Sequence, residues 1–472
     1  MKKSVIQLHR RLAIVLWAPF IVWFASGIAM LFGGMPELTP GDRLRMLEPV
    51  PVAKIAVSPL EAARRAAMPG RVESVSLVAV LGRPAYRFNG TRTAFADTGD
   101  LLKPIDAAAG VRIVASAFRL APERIHYART LVAPDQWTVG LVSQSPLHQL
   151  TVDDGRGTEA YVSADTAEVV LTTDRRSRAI GWISAVPHWF YLTVIRSREQ
   201  VWRQVVLWIS ALGAVVACAG VLVGVVQYRA RYAGVKRWHY RAGVLFGPFA
   251  ITWVVSGWLS MQPWHWAPPS DVRPRIIDGL SGGGLDVSAF PRLDAGRWVA
   301  TIGGGAKRID LVRVFGEPCY VIRETGAPPI VVSASTLTRR APLDAEAIAA
   351  RLRTAVAKLP VSTSAALSDY DAYYHDREHS LALPVTRVEF ADAQRTIAYI
   401  DPATGALVAD FTRRQRFERW AYHGLHSLDF PVFENARLLR TIVVIALCGG
   451  GLTLSVLGAA MALIRYWRYG FR

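Results

Sequence analysis

The sequence predicts a membrane α-helical bundle of four transmembrane helices with a two-fold internal repeat, carrying two large α+β domains outside the membrane. Three observations predict it. Apolar residues make up 51% of the 472-residue chain and gather in four blocks, near 12–33, 204–227, 242–261 and 439–464, none of which contains Asp or Glu. Each block meets the roughly 20 residues a helix needs to cross hydrocarbon. Two distant stretches are near copies: Leu8-His9-Arg10-Arg11 through Trp23-Phe24-Ala25-Ser26-Gly27, and Trp238-His239-Tyr240-Arg241 through Trp253-Val254-Val255-Ser256-Gly257. The long segments between blocks, 34–202 and 263–437, show helix-then-strand patterns of a water-soluble kind.

Charge orients these elements. Of the net +18, twelve Lys and Arg fall in three short segments without any acidic residue, 1–11, 228–241 and 465–472. Basic residues collect on the cytoplasmic side of membrane helices, so both termini and the middle loop 229–238 are expected inside and the long loops in the periplasm. The expected order is helix 1 (1–33), outside domain 1 (34–202), helix 2 (203–228), the loop, helix 3 (239–262), outside domain 2 (263–437), then helix 4 with its tail (438–472). A nucleic-acid binder would not confine its charge to helix ends. The first block is too long for a secretory signal peptide and lacks a small-residue cleavage site. Cys218, Cys319 and Cys448 are too few for a disulfide framework and read as small apolar fillers.

The repeat extends past the first helix. Trp182-Ile183-Ser184-Ala185-Val186-Pro187-His188 precedes the second block and Trp420-Ala421-Tyr422-His423-Gly424-Leu425-His426 the fourth, so aligning Trp182 with Trp420 sets His188 on His426. Arg203 and Arg440 follow at similar spacing. In the outside domains, Ser58-Pro59-Leu60-Glu61 reads as a capping box opening a short helix through Ala67, and Asp344 caps a helix expected to reach Lys358. Ser74–Val80, Pro84–Phe88, Val385–Phe390 and Thr396–Ile400 read as half-buried strands. Asp97-Thr98-Gly99-Asp100 and Asp401-Pro402-Ala403-Thr404-Gly405 are turns, and Tyr161–Thr166 resembles a degenerate third copy. Gly282–Gly284 and Gly303–Gly305 have no phosphate-binding helix behind them.

These helix–strand–strand modules, above all Tyr399-Ile400-Asp401-Pro402-Ala403-Thr404-Gly405, resemble PepSY domains. With Ala185-Val186-Pro187-His188-Trp189 and Tyr422-His423-Gly424-Leu425-His426-Ser427-Leu428-Asp429-Phe430-Pro431, the four-helix frame resembles the PepSY-associated transmembrane family over essentially the whole chain; 270–340 matches the module pattern poorly. The family includes iron-regulated bacterial inner-membrane proteins, and some resemble ferric-siderophore reductases with b-type haem between their helices. The resemblance therefore implies electron transfer, with ferric iron or a ferric siderophore as acceptor.

A b-type haem is held without covalent attachment, commonly by two neutral imidazoles on opposite faces of the iron, and no C-x-x-C-H attachment signature is present. Duplicated helices supply such pairs. The candidate axial ligands are His9 with His239 on the cytoplasmic side and His188 with His426 on the outer side, for one or two haems. Interfacial anchoring is the alternative for each pair. His423, three residues before His426, shares a helix face with it and is a ligand or supporting candidate. Arg203 and Arg440 are candidates for haem propionates, since guanidinium matches carboxylate; for Arg11 and Arg241 membrane anchoring competes. Trp17, Trp23, Trp253 and Trp258 pack on porphyrin or on neighbouring helices. His265, in Trp264-His265-Trp266, corresponds to Met35 and reads first as an interfacial anchor. His126 and His148 read as surface or packing residues. His375-Asp376-Arg377-Glu378-His379 spells H-x-x-E-H, but Leu383-Pro384 closes it before a strand, which disfavours the helix zinc proteolysis needs.

The first functional reading is thus a haem-dependent ferric (siderophore) reductase. No dinucleotide fingerprint follows a strand, so an external donor, a quinol or a reductase, is implied. The second is non-enzymatic: a membrane-anchored PepSY module binding a peptidase or peptide. A transporter lacks support, with two helices per half and no acid in the blocks.

Overall fold

The computed structural model describes residues 2–68, 70–228, 231–356, 359–375, 381–433 and 436–469. The chain divides into two compact units. One comprises Met1–Met35, Arg176–Pro268 and Arg414–Arg472, and the other Pro36–Arg175 and Pro269–Arg413.

Four long helices build the first unit: Lys2–Ala29, Glu199–Val226, Gly234–Ser260 and Arg437–Tyr469. All four are long and apolar enough to cross a membrane. Each starts before its block, because helix geometry continues through polar ends where hydropathy stops, while the first ends at Ala29, short of the block's expected end at 33. The first and third helices each pack against the second and fourth, so first and third face each other across a diagonal. Leu16, Phe20, Phe24, Val216, Trp253, Val254 and Cys448 fill the interior. Glycine permits this approach: a Cβ at Gly451 would stand 2.5 Å from the Phe24 ring, and small residues are what let apolar helices close on one another in lipid.

The segments rich in Trp and His belong to this unit, so the boundaries expected at 202 and 437 fall at Arg175 and Arg413 instead. The short helix Ala185–His188 lies on the first long helix and Leu425–Ser427 on the third. Buried Ala185 and Val186 of the former, and Ala421 in the turn just before the latter, are drawn to the long helices, which hydropathy of the connecting loop did not reveal.

The second unit holds β1 (Val75–Val80), β2 (Arg83–Phe88), β3 (Arg92–Phe95), β4 (Ile125–Leu131), β5 (Leu147–Val152), β6 (Thr158–Ser163) and β7 (Val169–Thr173) from its first stretch. The second stretch repeats the plan with β8 (Arg308–Val314), β9 (Glu317–Arg323), β10 (Ile330–Ser333), β11 (Val361–Leu367), β12 (Val385–Phe390), β13 (Ile397–Ile400) and β14 (Leu407–Phe411). Each stretch gives a three-stranded meander, a helix, and a four-stranded meander. The three-stranded pieces join edge to edge through antiparallel β1–β8 pairing, Val75 opposite Leu311, into the order β10-β9-β8-β1-β2-β3. Strands from the two long segments therefore share one sheet. The stretch 270–340, a poor match to the module by sequence, supplies β8–β10 as the counterpart of β1–β3.

β1 is covered on both faces, whereas its pattern predicted half-burial. Val75 and Leu77 enter one core with Phe88, Trp298 and Tyr320, and Val78 and Val80 another with Val114 and Leu150. A strand between two layers reads as a continuous apolar run. Helices Ala107–Phe118 and Ala345–Ala355 lie against the four-stranded sheets, each opened by an aspartate accepting an N–H three residues on, Asp106 from Ala109 and Asp344 from Ala347. Lys358, where the second was expected to end, lies outside the described residues. The Ser58 box is half formed: its hydroxyl accepts the Glu61 N–H while the Glu61 carboxylate pairs with Arg65.

Candidate cofactor site

The four-helix unit brings the histidines together in two pairs, each with one ring from each half of the chain. The His9 and His239 ring centres are 6.5 Å apart, and those of His188 and His426 6.0 Å. All four rings are half-buried.

A common seat holds each ring. In a helix the Cβ of residue i+4 leans back over the carbonyl of residue i, so glycine at i+4 bares that carbonyl to a neighbour. His9 Nδ1 lies 3.1 Å from the Val216 carbonyl oxygen, and a Cβ at Gly220 would stand 2.8 Å from His9 Cε1. His239 Nδ1 lies 3.2 Å from the Leu454 oxygen, with Gly458 in the same relation at 3.3 Å. His426 Nδ1 lies 3.0 Å from the Trp253 oxygen, with Gly257 at 3.3 Å. His188 rests on Gly27 at 3.7 Å, its Nδ1 3.0 Å from the Ser26 hydroxyl. Ser256 stands 3.1 Å from His426 Nδ1 in the matching place.

These contacts fix the tautomer. A carbonyl only accepts, so Nδ1 of His9, His239 and His426 carries the proton and Nε2 keeps the lone pair. Ser26 donates its own proton to the Val22 carbonyl and so accepts from His188 Nδ1. Burial pushes the His188 imidazole down to about 4, with His426 opposite adding to the effect. Burial also takes His426 to about 4, against the opposing bond to Trp253. Both are neutral at pH 7, the form that binds metal.

Surrounding side chains lock the turns that carry His188 and His426. Trp23 Nε1 donates to the His188 carbonyl at 3.1 Å, and Trp202 Nε1 to that of Trp189 at 2.7 Å. On the other half, buried Arg419 donates to the Asp429 carbonyl, and Trp420 stacks on Phe430. A π-helical turn, Trp420–Gly424, leads into Leu425–Ser427, and such turns re-aim a side chain.

The paired rings fit haem. With metal–nitrogen bonds of about 2 Å and roughly 1 Å from nitrogen to ring centre, two imidazoles on one iron stand roughly 6 Å apart centre to centre. Nδ1 bonds to carbonyl or hydroxyl are what ligating imidazoles ordinarily make. Among the described residues no three His, Cys, Asp or Glu gather into a metal-binding group. A two-imidazole donor set suits a metal that brings its own equatorial ligands.

The other candidates divide. His426, rather than His423, faces His188; His423 is exposed, its ring 4.9 Å from that of Tyr422. Arg203 donates to the Met261 and Gln262 carbonyls at the end of the third long helix, and Arg440 to the Ser427 carbonyl. Arg11 and Arg241 are exposed, Arg241 lying over the Trp238 ring. Trp23 and Trp253 pack on Phe20, Phe24 and Phe190. His265 is exposed. His148 is a buried packing residue, bonded to Thr130 and to the Ile105 carbonyl, and His126 is exposed. Glu378 and His379 of the H-x-x-E-H string lie outside the described residues.

Sequence reasoning missed the glycine seats on the second and fourth helices. The signal was present: the 238-residue offset that sets His188 on His426 also sets Val216 on Leu454 and Gly220 on Gly458. Comparison with known protein families and with curated proteins returns no match.

Proposed function

We propose that this chain is a b-type haem protein of the bacterial inner membrane that carries electrons across the bilayer and delivers them to ferric iron, held by a siderophore, in the periplasm. The observation that carries this reading is the pair of bis-imidazole seats, both drawn from facing halves of a bundle able to span a membrane. Haem, when bound, supplies a one-electron couple whose potential follows its axial ligands and burial.

The chain's own residues have three tasks. The imidazoles bind through Nε2, and the Nδ1 bonds to Val216, Leu454, Ser26, Ser256 and Trp253 orient them. Leu16, Phe20, Phe24, Trp253 and Val254 exclude water between the seats. The basic short segments favour His9 and His239 on the cytoplasmic side, which sets the other pair outside, nearer an external acceptor. The PepSY-like unit would then dock that acceptor, and a quinol or a reductase would serve as donor.

The test is an absorption spectrum of detergent-purified protein, as isolated and after dithionite, beside His188→Ala, His426→Ala and His9→Ala, His239→Ala. Sharp reduced bands that fall stepwise across the variants are expected. Protein expressed with haem in supply yet showing no haem bands would overturn the reading and leave a membrane-anchored module for a peptidase or peptide.

A further inference from the structure

We propose that Ser26 and Ser256 set the reduction potential of the cofactor held by His188 and His426, acting as positioning residues through those imidazoles. The inference rests on the haem reading above. It starts from a difference between the two pairs. His9 and His239 give their Nδ1 protons to backbone carbonyls, Val216 and Leu454. At the other pair a side-chain hydroxyl stands at each Nδ1, Ser26 at 3.0 Å from that of His188 and Ser256 at 3.1 Å from that of His426, where the Trp253 carbonyl also lies at 3.0 Å.

Both serines are buried, at 2% and 1% exposure. Both spend their own proton on a carbonyl of their helix, Ser26 on Val22 and Ser256 on Trp253 at 3.0 Å. A serine inside a helix often does only this. Here the remaining lone pairs face an imidazole from another segment, so Ser26 accepts the His188 Nδ1 proton and Ser256 shares that of His426 with the Trp253 carbonyl, each while donating onward. Chained bonds of this kind strengthen one another where the dielectric is low. An imidazole whose N–H is accepted is a more basic ligand, and a more basic ligand favours ferric over ferrous iron. The potential of this site therefore depends on two side chains, Ser26 outright and Ser256 alongside the Trp253 carbonyl, whereas that of the His9–His239 site depends on backbone carbonyls alone.

The experiment uses the full chain in detergent with His9→Ala, His239→Ala, so that one site titrates alone. Ser26→Ala, Ser256→Ala is added to it and the midpoint potential read from the reduced haem band. The expected result is unchanged haem content, an upward shift in midpoint, and its return toward the parent value in Ser26→Thr, Ser256→Thr, which restores the acceptors. Should the double alanine variant misfold, Ser26→Ala alone carries the same expectation with a smaller shift. Full haem content with an unmoved midpoint overturns the inference and leaves the haem reading standing. A wild-type chain without haem overturns both.

Discussion

Gly220→Ala sets two effects of opposite sign against each other. Alanine in place of glycine in a helix interior is favourable by about 1 kcal/mol, so a Gly220 that served only the helix would stabilise the protein when replaced. The added methyl, however, would stand 2.8 Å from His9 Cε1 and 3.2 Å from Nδ1, against about 3.5–4.0 Å for carbon atoms in ordinary contact. The ring must retreat by roughly 1 Å, which carries Nδ1 beyond reach of the Val216 oxygen and forfeits about 1 kcal/mol of hydrogen bond. It also leaves the ligating nitrogen outside the roughly 0.5 Å tolerance of a preorganised site. Haem per chain, measured as the reduced pyridine complex, should fall by about half if two equal sites exist, while the thermal midpoint of haem-free protein is unchanged or higher. The seats grade the effect: Gly458→Ala and Gly257→Ala, at 3.3 Å, should lose part of their haem, and Gly27→Ala, at 3.7 Å, none. Full haem in Gly220→Ala, or earlier loss in Gly27→Ala, would refute the seat as the reason for glycine.

Two further outcomes follow from the structure. Arg87, 7% exposed, pairs with Glu168 and donates to the Thr166 carbonyl; Arg87→Met strands a largely buried carboxylate and should cost about 3 kcal/mol. Thermal melting should show it, with partial recovery in Arg87→Met, Glu168→Gln; an unshifted melt would mean the pair contributes nothing. For pH, His188 and His426 are held near 4 against 6.5 in the unfolded chain, so between those values the unfolded state binds more protons and stability rises with pH. Haem-free protein should lose thermal stability as pH falls from about 6.5 toward 4, and His188→Leu, His426→Leu should flatten that slope. A slope unaltered in the variant would place the protonation elsewhere.

The helices were legible because lipid imposes a long apolar run, and the pairing of His9 with His239 because duplication leaves a fixed offset. What escaped was set by contacts distant in sequence. β1 reads Val-Ser-Leu-Val-Ala-Val, and nothing local says that β8 will join its edge, since pairing across more than two hundred residues leaves no periodic trace. The placement of 176–198 with the long helices depended on His188 and Ala185 finding Gly27 and its neighbours. His423 and His426 share a helix face on paper; with the π-helical turn at Trp420–Gly424 leading in, it is His426 that faces His188, while His423 is exposed. Gly220 and Gly458 looked like ordinary small residues of membrane helices, because a seat is defined by what lies on it.

The two pairs also bear on anchoring as an explanation of the histidines. An interfacial histidine turns outward to headgroups and water, and needs no partner in the other half of the chain. These four rings turn inward instead, meet across a diagonal, and commit Nδ1 to groups on the neighbouring helices. Each pair takes one ring from each repeat, so neither half contains a complete pair. His9 and Ser26 lie on one helix, and at about 1.5 Å per residue their separation along it is roughly 25 Å, close to the ~30 Å of bilayer hydrocarbon. A belt of anchors has no reason to be paired, inward-facing and bonded through Nδ1 at both ends of that span. Two bis-imidazole sites, one near each face, require all three.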